Sequence, residues 1–177
     1  MKKINVGLIG YGYIGKIHNI AYKVIPIIFP QYGNVYRLSA MVSSKTQNLE
    51  GTGFDNLVSS IYDLKEENLD MIDICTPNFL HFEQSSFFIK KGSNIYCEKP
   101  MTVNSKEGLQ ILDLIEERKT ITQVALIYRF MPAISKARAI IKNNCIGEII
   151  NFRGQFFHSS YLNPKRAITW RLKKSMS

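Results

Sequence analysis

The chain has 177 residues, of which 45% are hydrophobic and 21% charged, a composition typical of a globular protein rather than a disordered one. Its length suits one well-cored domain and the beginning of a second. The net charge of +9 is uneven: residues 1–128 contain 13 Lys and Arg and 13 Asp and Glu, whereas residues 129–177 contain 10 basic residues and Glu148 as the only acid. This excess is either a basic arm for nucleic acid or the mark of a fragment separated from an acidic segment. Because no nucleic-acid motif accompanies the charge, we expect no nucleic-acid partner.

The cellular context is predicted from short features of the sequence. The apolar stretch near the start is interrupted by Asn5 and Gly7, which is unlike a signal peptide. No apolar run approaches the length of a membrane span, so we expect no membrane partner. Cys75, Cys97 and Cys145 form no CxxC pair, and we expect buried, reduced thiols in a cytoplasmic protein without a bound metal.

Predicted strands and helices alternate along the chain. Apolar runs predict strands over 4–10, 36–43, 54–61, 69–77, 94–100 and 122–130. Helices are predicted over 14–25, 79–92, 105–119 and 133–144. We expect Pro26 to end the first helix. Its apolar face is expected to contain Ile14, Ile17, Ala21 and Val24, and that of the third helix Leu109, Leu112 and Ile115.

This alternation predicts an α/β fold with a doubly wound parallel sheet, a Rossmann dinucleotide-binding fold with helices on both faces and the first strand at its centre. Residues 1–130 would form the dinucleotide-binding domain. Residues 131–177 would begin a truncated second α+β domain. Residues 147–161 alternate like one long strand, which would be the first strand of that domain.

The segment between the first strand and the first helix has the spacing G-x-G-x-x-G. Gly10 would allow a tight turn, Gly12 a close approach of the backbone to phosphates, and Gly15 close packing of helix on strand. The helix N-terminus would supply unpaired N–H groups to a pyrophosphate. A plain glycine-rich turn is the alternative, which the strand–loop–helix context disfavours. The candidate cofactor-binding residues here are Gly10, Tyr11, Gly12, Tyr13, Ile14 and Gly15.

The end of the second strand bears on the choice of cofactor. NAD sites place Asp or Glu there for the ribose 2′-hydroxyl. This chain has Ser43, Ser44 and Lys45 instead, and no carboxylate before Glu50. Hydroxyl groups and a cation suit a 2′-phosphate, so the cofactor is predicted as NAD(P), with NADP favoured. The alternative is that these three residues belong to a solvated loop.

Six segments together resemble a known family. They are GLIGYGYIGKIH (7–18), DICTPNFLH (73–81), CEKP (97–100), YRFMP (128–132), GEIINFRGQFF (147–157) and ITWRLKK (168–174). In this order and spacing they resemble the glucose-fructose oxidoreductase / inositol dehydrogenase (Gfo/Idh/MocA) family, most closely its sugar- or polyol-oxidising members.

The resemblance implies roles for matching residues. Thr76, Pro77, Asn78 and His81 would lie beside the cofactor at the end of the fourth strand, although His81 could instead pack locally.

The EKP motif would supply the chemistry. Glu98 would contact the cofactor, and Lys99 would bind the substrate hydroxyl and act in catalysis by helping to move its proton. A surface lysine before a turn proline is the alternative for Lys99.

The resemblance also implies roles for four residues that follow the sixth predicted strand or lie near the end of the chain. One of them, Trp170, could equally be a packing residue. His18 and His158 are interpreted as structural or solvent-facing. The resemblance assigns Tyr128 and Arg129 to the substrate, and Trp170 and Arg171 to the cofactor.

The function implied is an NAD(P)-dependent oxidoreductase that transfers a hydride between nicotinamide and a sugar, polyol or derivative. Family members continue into a G-D-x-G-x-H segment that supplies further acid/base residues, and this segment does not occur in the chain. We therefore expect a truncated chain that is inactive alone and a full-length form that is a homo-oligomer. The alternative is a non-catalytic dinucleotide-binding sensor or regulatory module, because fold alone does not define function.

Overall fold

The computed structural model describes residues 3–45, 48–64, 68–159 and 162–173. The chain forms two compact units, of which the first ends at Ala125 and the second begins at Leu126. This division lies slightly before the boundary predicted at residue 130.

The first unit is built on a parallel sheet that has six strands in the described part of the chain. The strands are β1 (Ile4–Ile9), β2 (Tyr36–Val42), β3 (Asn56–Val58), β4 (Met71–Ile74), β5 (Asn94–Cys97) and β6 (Thr122–Val124). Their spatial order is β3-β2-β1-β4-β5-β6, and every neighbouring pair is parallel. The order reverses between β1 and β4, which confirms the predicted doubly wound topology with the first strand at the centre.

In the residues that the structure describes, three α-helices belong to the first unit and one to the second. They are α1 (Tyr13–Ile28), α2 (His81–Lys90) and α3 (Ser105–Arg118), followed by α4 (Pro132–Lys142). Helix α3 begins where the Asn104 side chain accepts a hydrogen bond from the Glu107 N–H, and it is followed by Lys119 in the left-handed conformation at φ +54°. Helix α4 begins at Pro132, whose missing N–H costs nothing in a first turn.

Helix α1 does not end at Pro26, and that prediction was wrong. The helix continues to Ile28 with the proline inside it. A proline cannot donate to the carbonyl four residues earlier, which here belongs to Tyr22. The Tyr36 hydroxyl, on β2, donates a hydrogen bond to that Tyr22 carbonyl. A partner from the sheet thus satisfies the group that the proline leaves unpaired.

The face of α1 that packs on the sheet also differs from the prediction. Ile17 and Ala21 are exposed. The buried residues of the helix are Gly15 and Asn19, and the side chain of His18 contacts the sheet. This rotation follows from Gly15, because its Cα lies against the Gly10 carbonyl and leaves no room for a side chain.

Apolar side chains fill both sides of the sheet. One cluster lies under α2 and α3 and includes Ile72, Ile74, Ile95, Cys97, Phe88, Ile89 and Ile111. A smaller cluster on the α1 side contains Val6, Leu8, Leu38, Met41 and Phe54. In α3 the buried position is Ile111, with Ile115 packed beside it, whereas Leu109 and Leu112 are exposed, contrary to the predicted face.

The second unit contains α4 and two 3₁₀ turns, Ile127–Phe130 and Trp170–Leu172. The strand predicted over 147–161 is absent from its described part, residues 147–159, and that prediction was wrong. An alternating segment becomes a strand only when neighbouring strands satisfy its backbone groups, and no described segment pairs with this one. Its apolar side chains are largely exposed, as at Ile150 and Phe152.

The three cysteines differ in burial. Cys97 is buried and Cys75 half-buried, both as free thiols, but Cys145 is exposed rather than buried. Within the described residues no helix has the length and apolar character needed to cross a membrane.

Candidate functional site

The glycine loop joins β1 to α1 at the carboxyl edge of the sheet. Gly10 has φ +90°, a conformation that glycine adopts readily, and a Cβ there would lie 2.8 Å from Thr76 Cγ2. A Cβ on Gly15 would lie 2.0 Å from the Gly10 carbonyl oxygen. Both positions therefore require glycine, because loop, helix and the segment after β4 meet without space for a side chain.

Space opens above the middle glycine. Gly12 precedes the first residue of α1, and no atom of the described residues lies within 4 Å of the position that its Cβ would occupy. No side chain in the described part of the chain caps the helix there, and the first turn contains no acidic residue. The first N–H groups of an α-helix have no partner within the helix and carry a partial positive charge, which suits an anionic group at this end of α1. Tyr13 is exposed beside this space and Ile14 is half-buried.

The segment after β4 packs against the glycine loop. The Thr76 hydroxyl donates to Gln84 Oε1 at 2.6 Å, and Pro77 precedes a 3₁₀ turn, Asn78–Leu80, that leads into α2. Asn78 is 8% exposed, and its Oδ1 has no hydrogen-bond partner among the described residues. A buried amide oxygen without a partner is costly, and a bound ligand could supply the missing donor.

His81 joins two loops of the site. Its Nδ1 lies 2.7 Å from the Pro100 carbonyl oxygen and its Nε2 2.9 Å from the Thr76 carbonyl oxygen. The residue is 1% exposed, so both of its polar atoms are used inside the protein. His81 thereby holds the segment after β4 against the segment after β5.

The segment after β5 places Lys99 at the surface. The Glu98 N–H donates to the Ile74 carbonyl at 2.9 Å, which continues the pairing of β5 with β4. The Glu98 carboxylate accepts from the Lys99 N–H at 3.1 Å, and the peptide bond between Lys99 and Pro100 is cis. Lys99 is exposed, and its ammonium donates no hydrogen bond to the residues that the structure describes.

A polar cluster, defined here as His18, Asp73, Cys75, Tyr96 and Glu98, lies between α1 and the sheet next to these loops. His18 Nδ1 lies 2.9 Å and 3.0 Å from the two Asp73 carboxylate oxygens, and His18 Nε2 lies 3.4 Å from Glu98 Oε1. The Cys75 thiol lies 3.2 Å from His18 Nδ1. The nitrogen, oxygen and sulfur atoms of His18, Asp73 and Cys75 lie within 4.8 Å of one another, a donor set that could also take a metal ion.

Strand alternation explains how the polar cluster forms. Ile72 and Ile74 of β4 face the core under α2 and α3, so Asp73 between them faces α1. In β5 the same alternation turns Tyr96 toward α1, where its ring centroid lies 5.7 Å from that of His18. Asp73 was not among the site residues predicted from the sequence, because β4 has the pattern of an apolar run. The signal was an acidic residue at an inward position of a buried strand.

The electrostatics of the cluster favour a charged imidazole. Burial opposes the charge, but hydrogen bonds and attraction from Asp73 and Glu98 outweigh it and raise the pKa of His18 to about 9. His18 in turn lowers the pKa of Glu98. Burial and the nearby Asp73 carboxylate raise the pKa of the Cys75 thiol and of the Tyr22 hydroxyl, which keeps both neutral. The Tyr22 hydroxyl donates to Asp73 Oδ2 at 3.0 Å.

At the end of β2, the Ser43 hydroxyl forms hydrogen bonds with the main chain of Lys45. Its Oγ accepts from the Lys45 N–H at 3.3 Å and donates to the Lys45 carbonyl at 3.1 Å. The Ser43 N–H donates to Val58 O at 3.0 Å, which ties this end to β3. Ser44 and Lys45 are exposed.

The remaining predicted site residues belong to the second unit. Tyr128 and Arg129 lie in the 3₁₀ turn Ile127–Phe130 and are exposed. Trp170 and Arg171 lie in the other turn, and the Arg171 guanidinium stacks 4.5 Å from the centre of the Trp170 ring.

The strand order and the glycine loop define the class: this is a Rossmann fold of the dinucleotide-binding kind. The family model described as "Oxidoreductase family, NAD-binding Rossmann fold" matches residues 4–126. The chain belongs to this family, the Gfo/Idh/MocA oxidoreductases, as its motifs had indicated.

Individual relatives support the assignment. Levoglucosan dehydrogenase of Pseudarthrobacter phenanthrenivorans is 33% identical over 100% of this chain and 47% of its own length. Glucose-6-phosphate 3-dehydrogenase of Bacillus subtilis is 28% identical over 97% of this chain and 46% of its own length. A structure of levoglucosan dehydrogenase in complex with NADH superposes with a TM-score of 0.92 at 29% identity, covering 99% of this chain and 49% of that one. The chain thus spans about half the length of the curated relatives that it matches.

Proposed function

We propose that the chain is the cofactor-binding part of an NAD(P)-dependent oxidoreductase that transfers a hydride between nicotinamide and a carbinol carbon of a sugar, polyol or derivative. One observation carries the proposal. His81 connects the Thr76 carbonyl, beside Gly10, to the Pro100 carbonyl, beside Lys99. The glycine loop and the segment that carries Lys99 thus lie at one edge of the sheet, which supports the proposal because doubly wound folds bind ligands at that edge.

The site fits a dinucleotide on two grounds in this structure. The uncapped start of α1 and the open space at Gly12 suit the pyrophosphate. The buried Asn78 Oδ1 receives no hydrogen bond from any described residue, as expected for an atom whose donor is a ligand. When bound, the nicotinamide supplies the chemistry of hydride transfer.

Lys99 is proposed to act on the substrate oxygen. Its ammonium can donate a hydrogen bond to a hydroxyl or carbonyl oxygen and hold the carbinol carbon in place. In the direction of reduction, the ammonium gives a proton to the oxygen of the new alcohol, and in the direction of oxidation the amine takes that proton back. Glu98 and His81 fix the main chain on the two sides of Lys99.

For the cofactor, we propose binding of NADP at least as tight as that of NAD. The Ser43 hydroxyl is occupied by Lys45, which leaves the Ser44 hydroxyl and the Lys45 ammonium as exposed groups after β2. A hydroxyl and a cation can both donate to a 2′-phosphate, and residues 43–45 contain no carboxylate to repel it. The relatives with levoglucosan and glucose-6-phosphate in their names support a sugar or sugar derivative as substrate.

Fluorescence titration with NADH and NADPH tests the cofactor proposal. We expect binding of NADPH in about the micromolar range. Lys45→Glu should weaken NADPH by about tenfold or more and leave NADH nearly unchanged, because it places a like charge near the 2′-phosphate. Lys106→Glu, an equal charge change at an exposed position in α3, is the matched control. A clear preference of the unaltered chain for NADH would contradict the proposal.

Activity is tested with a panel of sugars and polyols on this chain and on a form extended into the longer region that its relatives possess. We expect the chain of 177 residues to bind cofactor without useful turnover, and Lys99→Met to abolish turnover of the extended form while cofactor binding persists. Equal activity of the two forms would show that Lys99 and its neighbours suffice. The roles that the resemblance implies for Tyr128, Arg129, Trp170 and Arg171 remain predictions for substitution in the extended form.

A further inference from the structure

The His18 imidazole faces a carboxylate on each side. Nδ1 lies within 3.0 Å of both Asp73 oxygens, and Nε2 lies 3.4 Å from Glu98 Oε1. A neutral imidazole has one N–H and could donate on only one side, whereas an imidazolium donates on both. The geometry therefore fits a protonated ring that bridges β4 and the end of β5.

Every element packed around His18 contributes to its charge balance. The His18 and Glu98 side chains are 13% and 15% exposed, and Asp73 is 1% exposed. Without the imidazolium, two carboxylates would share a region largely removed from water, which is unfavourable. The titratable groups that face the ring come from three elements. Helix α1 contributes Tyr22, which acts through Asp73, and β4 with the loop that follows it contributes Asp73 and Cys75. Strand β5 contributes Tyr96, and the segment after it contributes Glu98, with Lys99 next to it.

We propose that His18 is a positioning residue: its imidazolium, with one N–H toward Asp73 and the other toward Glu98, joins the two carboxylates and thereby fixes the main chain at Lys99. The connection is continuous in the structure: one Glu98 oxygen faces His18 Nε2, and the other accepts the Lys99 N–H at 3.1 Å. This role rests on the function proposed above, in which Lys99 holds the substrate oxygen. His18 itself lies beneath the loops and acts only through Glu98.

The proposal makes the placement of Lys99 dependent on pH. Loss of the proton removes the donor to one carboxylate and leaves Glu98 free to turn away. Because the pKa of His18 is raised to about 9, the bridge persists at neutral pH and is lost as pH rises through that value. The Lys99 main chain should then lose its fixed position, whereas cofactor affinity, which does not depend on Lys99, should change little.

NMR of the intact chain labelled with ¹⁵N measures the proton directly. The chain has three histidines, and His18→Gln identifies the His18 ring signals by their loss. We expect those signals to titrate above pH 8 and the Lys99 amide signal to shift over the same range. A His18 ring that titrates at or below its ordinary pKa, or a Lys99 amide that does not follow it, would overturn the proposal.

Two substitutions keep the test valid if His18→Gln does not fold. Glu98→Gln, at the partly exposed end of the bridge, should lower the pKa of His18 by about one unit and uncouple the Lys99 amide from it. Glu116→Gln makes the same chemical change on the exposed side of α3 and should do neither. Equal behaviour of the two variants would contradict a specific role of Glu98.

Two further measurements test whether a metal ion takes the place of the His18 proton and whether the chain binds a dinucleotide. Titration with Zn²⁺ alone tests the metal-donor set, and stoichiometric binding at His18 Nδ1 at neutral pH would overturn the proposal, because a metal there excludes the proton. Titration with NADPH at pH 7 tests the proposed function. If the unaltered chain binds no dinucleotide, the proposed function fails, while the NMR results still decide whether the proton bridge exists.

Discussion

The two faces of the β4–β5 pair differ in chemistry, although successive residues of the same short strands supply both of them. The face toward α2 and α3 carries Ile72, Ile74 and Ile95 in a closed apolar core. The face toward α1 carries Asp73 and Glu98, bridged by His18. Burial of an apolar side chain is favourable whatever its orientation, whereas a buried carboxylate is tolerated only with a correctly placed partner.

The apolar face contributes mainly to stability, whereas the face toward α1 also holds the candidate functional site in place. The apolar face needs only residues of suitable size, and its contribution does not depend on pH. The α1 face holds the glycine loop, the start of α1 and the segment before Lys99 in fixed relation, and it depends on charge and on close backbone contacts. Four substitutions or conditions, from the largest expected effect to the smallest, test this contrast.

Gly15→Val should have the largest effect, because the new Cβ would overlap the Gly10 carbonyl oxygen, 2.0 Å away. We expect a loss of more than about 4 kcal/mol in the free energy of unfolding, or no folded protein, measured by urea denaturation. Gly12→Val is the control: its φ of −78° suits any residue and its surroundings are open, so it should fold normally but lose cofactor binding. Normal stability of Gly15→Val would show that α1 can move away from the loop.

Ile74→Ala tests the apolar face. Ile74 is fully buried, and its truncation leaves a cavity that should reduce the free energy of unfolding by about 3 kcal/mol at every pH from 6 to 9. Ile20→Ala on the exposed side of α1 should change it by less than about 0.5 kcal/mol. A marked pH dependence of the Ile74→Ala effect would mean that the two faces are coupled.

A pH series tests the α1 face. Because the pKa of His18 is raised from 6.5 to about 9 by folding, its stabilising contribution is complete below pH 6.5 and disappears as pH rises through about 9. We expect the free energy of unfolding to fall by about 2–3 kcal/mol over that interval. His18→Gln should remove this decrease, and a decrease of equal size in that variant would assign it to other groups.

Tyr36→Phe should have the smallest effect. It removes the hydroxyl that donates to the Tyr22 carbonyl, and we expect a loss of about 1 kcal/mol from the free energy of unfolding. Pro26→Ala supplies an N–H that can bond to the same carbonyl within the helix. In that background Tyr36→Phe should cost clearly less, and an unchanged cost in thermal or urea denaturation would show that the hydroxyl acts elsewhere.

Much of the first unit could be predicted because its signals are local. Short apolar runs identified the six strands, and the glycine spacing placed the loop between β1 and α1. The orientation of α1 could not be predicted in this way. Its most regular apolar pattern points to Ile17 and Ala21, but the contact of Gly15 with Gly10 turns another face inward. A single backbone contact outweighed the apolar periodicity.

In the second unit a clear local pattern did not predict the structure. Residues 147–159 have the alternation of a strand and form none in the described structure. Helix α4 was predicted correctly, because the hydrogen bonds of a helix lie within one segment. The hydrogen bonds of a strand lie between segments. An alternating pattern therefore predicts a strand only where a partner strand is present.

The sequence by itself determined the class of fold, the family and the positions of the glycine loop and Lys99, because these depend on residue type and on spacing along the chain. Only the tertiary structure decided that His18 bridges Asp73 and Glu98 and that His81 joins Thr76 to Pro100. Those partners are separated in sequence and meet because parallel strands align their carboxyl ends at one edge. Which of several polar side chains then pair depends on distances of a few tenths of an ångström, which no linear pattern contains.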